Sequence, residues 1–320
     1  MMPLLSVENL KMYYEILRGW VKAVDGVSFE LNKGESMGLA GESGCGKTSV
    51  ALTLLRLLPT NAKVLEGSIN FEGIDLLKLK LKDYRKEISW KKISTIFQGA
   101  MNSLHPTMKI GDQIVESIIT HEKISKKEAR ERAAKLLDLV GIGASRIDRY
   151  PHELSGGMKQ RTMIAMALSC NPDLIIADEP TTALDVIIAD QVMKVMKELQ
   201  QKLNISMIVI SHDLSLIADT CEKIAIMYAG KIVEQGDIVK VFKEPLHPYT
   251  KKLIGAFPSI RGPKGELASI HGFPPDLLNP PPGCRFHPRC EYAMPICKEK
   301  EPVINNVGEA HYVACHLIGG

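Results

Sequence analysis

The glycine-rich octamer at positions 41–48 constrains the fold of this chain more than any other feature. It reads Gly-Glu-Ser-Gly-Cys-Gly-Lys-Thr and fits the P-loop pattern at every defined position. A short strand predicted at residues 35–40 precedes it, and a helix predicted over 47–58 follows it and stops before Pro59. In this order, successive amides can surround a phosphate. The residues of this segment predicted to bind ATP or Mg²⁺ are Gly41, Ser43, Gly44, Cys45, Gly46, Lys47, Thr48 and Ser49.

Two side chains of this loop carry specific chemistry. Lys47 supplies a positive charge for the β- and γ-phosphates of a nucleotide, and the Thr48 hydroxyl is suited to ligate Mg²⁺. The loop therefore predicts a site for ATP with Mg²⁺.

Strands alternate with helices up to about residue 245. Residues 174–177 and 207–210 are apolar throughout, as buried parallel strands are. This alternation predicts an α/β fold, with a parallel sheet covered by helices on both faces. Two further predicted elements are a helix over 126–140 with a capping box from Ser125 and Glu128, and a hairpin over 223–235 turning at Ala229-Gly230.

Composition narrows the classes of function. The 320 residues are 45% hydrophobic and carry a net charge of only +3, so bulk electrostatics give no case for nucleic-acid binding. No apolar stretch approaches the length of a membrane span. The first residues lack the basic and apolar regions of a secretory signal. We expect a cytoplasmic protein that reaches a membrane only through a partner.

A second octamer, Leu-Ser-Gly-Gly-Met-Lys-Gln-Arg at 154–161, precedes the pair Asp178-Glu179 by seventeen residues. It is too polar for a core and suits the start of a helix that meets a phosphate. It resembles the signature motif of ATP-binding-cassette (ABC) ATPases. The resemblance implies that two such domains pack head to tail, with Ser155, Gly156 and Gly157 serving the ATP of the partner.

The same resemblance extends to the residues around hydrolysis. Asp178 resembles the Walker B aspartate that meets the Mg²⁺ shell, and Glu179 is then the carboxylate that polarises the attacking water. His212 resembles the switch histidine, which contacts the γ-phosphate. Gln98 resembles the Q-loop glutamine, which senses Mg²⁺ and couples to the membrane subunit.

Two further positions complete the nucleotide assignment. Asp185 resembles the D-loop aspartate at the dimer seam, and Tyr14 lies in the region where an aromatic ring stacks on adenine. The resemblance covers residues 1–245. It implies a P-loop NTPase cassette with a RecA-like core, an antiparallel β subdomain and a helical subdomain at about 99–165.

Residues 246–320 form a different kind of segment. Twelve of the 18 prolines lie between Pro245 and Pro302, so this part of the chain cannot hold long regular elements. Its His-Pro-Tyr-Thr run at 247–250 resembles the ATPase subunits of oligopeptide, dipeptide and nickel importers. The run at 101–106 resembles the loop that contacts the permease in those importers, and Lys92–Gln98 is closer to their D-type subunit.

The importer resemblance implies a set of partners. They are a second ATPase subunit, forming a heterodimer, two transmembrane permease subunits, and indirectly an extracytoplasmic binding protein. The chain would lie peripherally on the cytoplasmic face of the membrane and power peptide import, although the cargo stays open among dipeptides, oligopeptides, nickel complexes and oligosaccharides. The alternative from another class is a soluble ABC ATPase acting on ribosomes or DNA.

Four of the seven cysteines cluster at the end of the chain: Cys284, Cys290, Cys297 and Cys315. In a reducing compartment they indicate metal ligation before disulfides. Paired Cys-x₂-Cys knuckles of a zinc ribbon are missing, and the spacing matches neither ferredoxin pattern. The family resemblance favours a [4Fe–4S] cluster, while zinc and free thiols stay open. We expect this module to staple the proline-rich segment and to lie remote from the ATP site.

Overall fold

The computed structural model describes residues 2–256 and 270–318. The strands are β1 Leu5–Ile16, β2 Gly19–Leu31, β3 Ser36–Ala40, β4 Ala62–Phe71, β5 Ile74–Asp75, β6 Ile93–Ile96, β7 Leu174–Asp178, β8 Ser206–Ile210, β9 Lys223–Tyr228, β10 Lys231–Asp237, β11 Asn305–Asn306 and β12 Tyr312–Val313. The α-helices are α1 Lys47–Leu54, α2 Leu81–Glu87, α3 Ile110–His121, α4 Lys126–Leu139, α5 Gly156–Ala167, α6 Val186–Leu203, α7 Leu214–Thr220, α8 Ile238–Lys243, α9 Pro248–Gly255 and α10 Pro295–Glu299.

The chain divides into two compact units. The first, the loop unit, comprises residues 1–31, 37–77 and 211–320. The second, the helical unit, comprises residues 32–36 and 78–210. This division does not follow the predicted boundary at residue 245, because the proline-rich segment belongs to the same unit as the P-loop.

An antiparallel sheet of order β2-β1-β4-β5 forms one part of the loop unit. Its register places Leu5 between Leu31 and Phe71, and all three side chains are buried. Val7 lies two residues further along β1 and pairs in the same way with buried neighbours. Such apolar cross-strand rows stabilise the sheet and hold β2 beside the P-loop helix.

The second sheet of the loop unit has the order β11-β12-β10-β9-β3. Strand β3 runs parallel to β9 and leads into the P-loop, while β10 and β12 pair antiparallel. The predicted hairpin is confirmed: β9 and β10 are joined by Ala229 at φ +48° and Gly230 at φ +84°. A two-residue turn with both φ values positive matches the twist of the strands.

Three parallel strands, in the order β8-β7-β6, form the centre of the helical unit. Every residue of β6, β7 and β8 is buried, as the apolar runs predict. Helix α4 is confirmed, and both bonds of its capping box are present: Glu128 N–H donates to Ser125 Oγ, and Ser125 N–H donates to the Glu128 carboxylate.

Helix α1 is shorter than predicted. It ends at Leu54 rather than Leu58, because Arg56 takes the left-handed conformation at φ +53°. The Leu57 N–H then donates back to Leu52 O at 2.9 Å, which closes the helix before Pro59 is reached.

The proline-rich segment contains only short elements, as predicted. Among the residues after 245 that the structure describes, the longest helix is α9 with eight residues, and each strand has two. Strand β12 adds to the edge of β10, where Glu234 pairs with Val313. Within residues 2–256 and 270–318, no helix has both the length and the apolar character needed to cross a bilayer.

Candidate functional site

The P-loop, which lies in the loop unit, has two positions where only glycine fits because there is no space for a Cβ atom. A Cβ on Gly41 would lie 2.1 Å from Met227 O, and one on Gly46 would lie 2.1 Å from Ala23 O. Both residues also have positive φ values, +145° and +108°. Helix α1 starts directly after Gly46, so its free N-terminal amides open toward the loop.

Lys47 is buried at the centre of this loop. Its ammonium donates hydrogen bonds to the carbonyl oxygens of Gly41, at 2.7 Å, and Glu42, at 3.0 Å. The Cys45 sulfur lies 3.6 Å from the same nitrogen. Ser43, Gly44 and Thr48 are exposed. The loop thus holds one buried cation among its own carbonyls and presents its polar groups on the outside.

Tyr14 and Tyr13 point to different partners because neighbouring residues alternate across a strand. Tyr13 donates to the buried Asp25 at 2.7 Å, so its ring belongs to the sheet. The Tyr14 hydroxyl lies 3.1 Å from the Ser49 hydroxyl on α1. The structure therefore places Tyr14, of the two, beside the helix that follows the P-loop.

The proline-rich segment contacts the P-loop directly, and the expectation that the cysteine module is remote from it is wrong. The carboxylate of Glu42 accepts bonds from both terminal nitrogens of Arg289, at 2.6 and 3.0 Å. The Glu42 N–H donates to the Tyr249 hydroxyl at 2.9 Å. Local sequence patterns missed these contacts, because the partners are 247 and 207 residues apart.

A buried aromatic cluster explains how Tyr249 is held. Its ring centroid lies 4.7 Å from that of Tyr228 and 5.4 Å from that of Phe286, and all three side chains are fully buried. His247 caps α9 by accepting the Tyr249 N–H, and burial lowers the pKa of His247 to about 3. The His-Pro-Tyr run is thus a packing motif that delivers a hydroxyl to the P-loop.

In the helical unit, Gln98 and Glu179 contact each other. Gln98 Nε2 donates to Glu179 Oε2 at 2.9 Å, and the Thr182 hydroxyl donates to the same oxygen at 3.0 Å. Glu179 follows Asp178, the buried last residue of β7, and takes φ +47°. Its N–H donates to Ile210 O at 2.8 Å. The strained backbone turns this carboxylate out of the strand and toward Gln98.

The second octamer starts α5 as predicted. Ser155 is the N-cap, and its side chain accepts the Met158 N–H at 3.4 Å. A Cβ on Gly157 would lie 2.6 Å from Ile188 on α6, so the glycine permits close packing of two helix starts. Gly156 faces Leu184 of the loop before α6.

Asp185 caps α6 and accepts the Ile188 N–H at 3.0 Å. The next two residues, Val186 and Ile187, are apolar yet 85% and 71% exposed. The start of α6 therefore carries two exposed apolar side chains next to its capping aspartate.

His212 lies in the loop unit. It is exposed, two residues after β8, and the next residue, Asp213, caps α7 by accepting two amides. The histidine thus directly precedes the N-cap of α7.

All seven cysteines are free thiols. The pKa of Cys284 is raised to about 11, chiefly by burial and further by the nearby thiols of Cys297, Cys315 and Cys290. These four side chains are thus close enough to influence one another. Even so, within residues 2–256 and 270–318 no three or more His, Cys, Asp or Glu side chains form a group that could hold a metal ion. The predicted ligands are neighbours, but the structure does not assemble them as a metal site.

Comparisons with known proteins agree with this geometry. The family model "ABC transporter" matches residues 24–182, and the model "Oligopeptide/dipeptide transporter, C-terminal region" matches residues 233–297. The dipeptide transport ATP-binding protein DppD of Bacillus subtilis is 46% identical over 99% of this chain and 95% of its own length. The oligopeptide transport ATP-binding protein OppD of the same organism is 46% identical over 98% of this chain and 89% of its own length.

A solved structure shares the fold. The ATP-binding cassette MJ0796, described as a dimer in a post-hydrolysis state with ADP and Pi, superposes with a TM-score of 0.65 at 26% identity. The match covers 73% of this chain and 98% of the cassette. The α/β fold is thus that of an ABC cassette, a P-loop NTPase. The chain belongs to the ABC transporter family, among the ATP-binding subunits of dipeptide and oligopeptide transporters.

Proposed function

We propose that this chain hydrolyses ATP to drive the import of di- or oligopeptides through a membrane ABC transporter. The observation that carries this function is likeness over the whole chain: the 46% identity to DppD includes the proline-rich segment as well as the cassette. A cassette alone is compatible with many transported cargoes. The proline-rich segment matches the family model of oligopeptide and dipeptide transporters, which favours peptides as the cargo.

The P-loop residues would hold the triphosphate. Lys47 exchanges its bonds to Gly41 and Glu42 for bonds to the β- and γ-phosphates, which carry more negative charge than the carbonyls do. The Thr48 hydroxyl, Asp178 and Gln98 are the proposed Mg²⁺ contacts. Tyr14 is proposed to stack on adenine, which its place beside Ser49 supports.

Glu179 is the proposed general base, and its strained turn out of β7 supports that role. It would accept the proton of the attacking water while His212 contacts the γ-phosphate. In the described state the Gln98 amide and the Thr182 hydroxyl both donate to the carboxylate. These two bonds fix the position of the carboxylate oxygen beside Gln98.

A head-to-tail dimer with a second ATPase subunit is proposed for the working state. Ser155, Gly156 and Gly157 would present helix N-terminal amides to the ATP of the partner subunit. Val186 and Ile187 are adjacent exposed apolar residues beside Asp185, and such a contiguous apolar patch supports an interface there.

The remaining partners are two transmembrane permease subunits, with an extracytoplasmic binding protein acting through them. The loop at 101–106 is the proposed permease contact, and the chain would lie at the cytoplasmic face of the membrane. In the structure this loop is tied to α3 by Gln113, whose side chain binds the backbone of His105 and Met108. A contact so anchored can transmit force to the helices of the cassette.

A [4Fe–4S] cluster on Cys284, Cys290, Cys297 and Cys315 is also proposed. Four reduced thiols that influence one another suit a cluster with one thiolate on each iron. Zinc is the alternative, with all four thiolates at about 2.3 Å from one ion. A bound cluster would supply a covalent staple to a segment with little core of its own.

Reconstitution tests the function. The chain would be assembled with its second ATPase subunit and two permease subunits in proteoliposomes, and uptake of a labelled peptide would be measured with phosphate release. Both activities should require ATP and be lost in Lys47→Ala, which removes the charge that faces the phosphates. ATPase activity stimulated by ribosomes or DNA, with no peptide uptake, would contradict the proposal.

A further inference from the structure

Glu42, the second residue of the P-loop, is held at three separate groups: its carboxylate, its N–H and its carbonyl. Its carboxylate binds Arg289, its N–H donates to the Tyr249 hydroxyl, and its carbonyl accepts from Lys47. Two of these three contacts come from the proline-rich segment. The start of the phosphate loop is therefore positioned by residues outside the cassette.

Arg289 is built into this place. Its side chain is 5% exposed, and all three of its nitrogens donate hydrogen bonds. Beyond Glu42 they reach the Tyr228 hydroxyl and three backbone carbonyls. Those carbonyls belong to Ile270, His271 and Gly272. A planar guanidinium with this many partners has little freedom to leave the carboxylate.

Charge gives the pair a consequence for the ligand. Glu42 brings a carboxylate into a loop whose proposed ligand is a triphosphate, and like charges repel. An arginine guanidinium is always protonated in proteins, so Arg289 brings a positive charge to the Glu42 carboxylate. The pair leaves the loop with no uncompensated negative charge from Glu42.

We propose that Arg289 is a positioning residue of the nucleotide site: it neutralises Glu42 and, with Tyr249, fixes the start of the P-loop for ATP. This inference rests on the proposed function. It assigns a role in ATP binding to the proline-rich segment. Because Arg289 directly precedes Cys290, the fold of the cysteine module decides whether the guanidinium reaches the loop.

The test measures the ATP affinity of the full-length chain by calorimetry with Mg²⁺. Arg289→Ala should weaken binding about tenfold, a size usual for coupled contacting residues. Glu42→Gln should weaken it less, because it removes the repelling charge together with the ion pair. The double variant should bind ATP more tightly than Arg289→Ala alone. Lys240→Ala is the matched control, since it breaks the ion pair to Glu309 of the same segment without touching the P-loop.

The recovery of ATP affinity in the double variant distinguishes a positioning role of Arg289 from a role in stability alone. Loss of fold alone predicts that the double variant is no better than Arg289→Ala, and that result would overturn the proposal. So would Arg289→Ala affinity within about twofold of the wild type. If Arg289→Ala fails to fold, Arg289→Lys is the second variant. It keeps the positive charge but loses the two-nitrogen geometry of the guanidinium, so it should weaken ATP binding. Wild-type ATP affinity in Arg289→Lys would also overturn the proposal. A wild-type chain that does not bind ATP would refute the proposed function instead.

Discussion

Gln98 donates a hydrogen bond of 2.9 Å to Glu179, and this contact joins the residue proposed to sense Mg²⁺ and couple to the permease to the residue proposed to activate water. Parallel pairing brings it about, because Ile96 at the end of β6 lies opposite Ala177 near the end of β7. Two residues beyond each, both side chains leave at the same edge of the sheet. A movement of Gln98 would therefore directly change its hydrogen bond to the Glu179 carboxylate.

Glu179→Gln should retain ATP binding and slow hydrolysis by ~10²–10⁴-fold, the usual contribution of a general base. The amide is nearly isosteric but cannot accept the proton of water. Phosphate release by the assembled transporter measures the effect, with Glu116→Gln on the exposed face of α3 as a control. Near wild-type turnover in Glu179→Gln would refute the assignment.

Ser155→Arg should leave ATP binding by the single chain intact and abolish ATP-driven dimerisation. A long charged side chain at this helix start blocks the approach of a second nucleotide. Ser125→Arg is the matched control, because Ser125 is also an exposed N-cap and its loss costs a similar ~1 kcal/mol of helix stability. Light scattering with and without ATP reports the dimer. Equal loss of dimer in both variants would show that only a cap was removed.

Cys290→Ser tests the cysteine module. Protein purified without oxygen should absorb broadly near ~400 nm and contain about four irons and four sulfides per chain, and the variant should lose both. Its ATP affinity should also fall toward that of Arg289→Ala, because the neighbouring guanidinium loses its anchor. Cys221→Ser, outside the module, is the control. About one zinc and no iron in the wild type would replace the cluster with a zinc site.

Acid should destabilise the chain through His247. Its pKa is about 3 in the fold and about 6.5 when unfolded, so the unfolded chain binds the extra proton between these values. The contribution of His247 to the free energy of unfolding is therefore fully present above pH 6.5, and it falls by about 2 kcal/mol from pH 6.5 to 5. His247→Asn keeps an N-cap acceptor and should remove this part of the pH dependence. Denaturant unfolding at several pH values measures it.

His152→Asn, at an exposed position, serves as the comparison for that experiment. The Glu234 carboxylate accepts the backbone N–H of His247 and also contacts His311, so the region around His247 contains other ionisable side chains. Only the difference between wild type and His247→Asn isolates the buried imidazole. If the free energy of unfolding depends on pH in His247→Asn as it does in the wild type, protonation of His247 is not the cause of the acid destabilisation.

Local patterns predicted the elements whose causes are local. The capping box of α4 and the turn at Ala229-Gly230 depend on residues within a few positions of each other, and both are as expected. The end of α1 is a local failure. Pro59 predicts that the helix ends at Leu58, but the left-handed conformation of Arg56 ends it one turn earlier. Arginine has no particular preference for that conformation, so the sequence did not indicate the earlier end.

The contacts around Glu42 could not be predicted in this way. Nothing near Arg289 indicates an anion, and nothing in the P-loop pattern requires a carboxylate at its second position. Tyr249 was visible as part of a family motif, yet its partner depends on the packing of Tyr228 and Phe286 from distant parts of the chain. Such contacts exist only once the tertiary structure does.

The pair of Glu42 and Arg289 also sets an order of events during synthesis. The two residues are 247 positions apart, and at ~5–20 residues per second a ribosome needs roughly 12–50 s to travel from one to the other. A nascent cassette spends that time with an uncompensated carboxylate in its phosphate loop. We expect such incomplete chains to hold nucleotide weakly, so that translation of the last tenth of the protein makes the subunit competent for ATP.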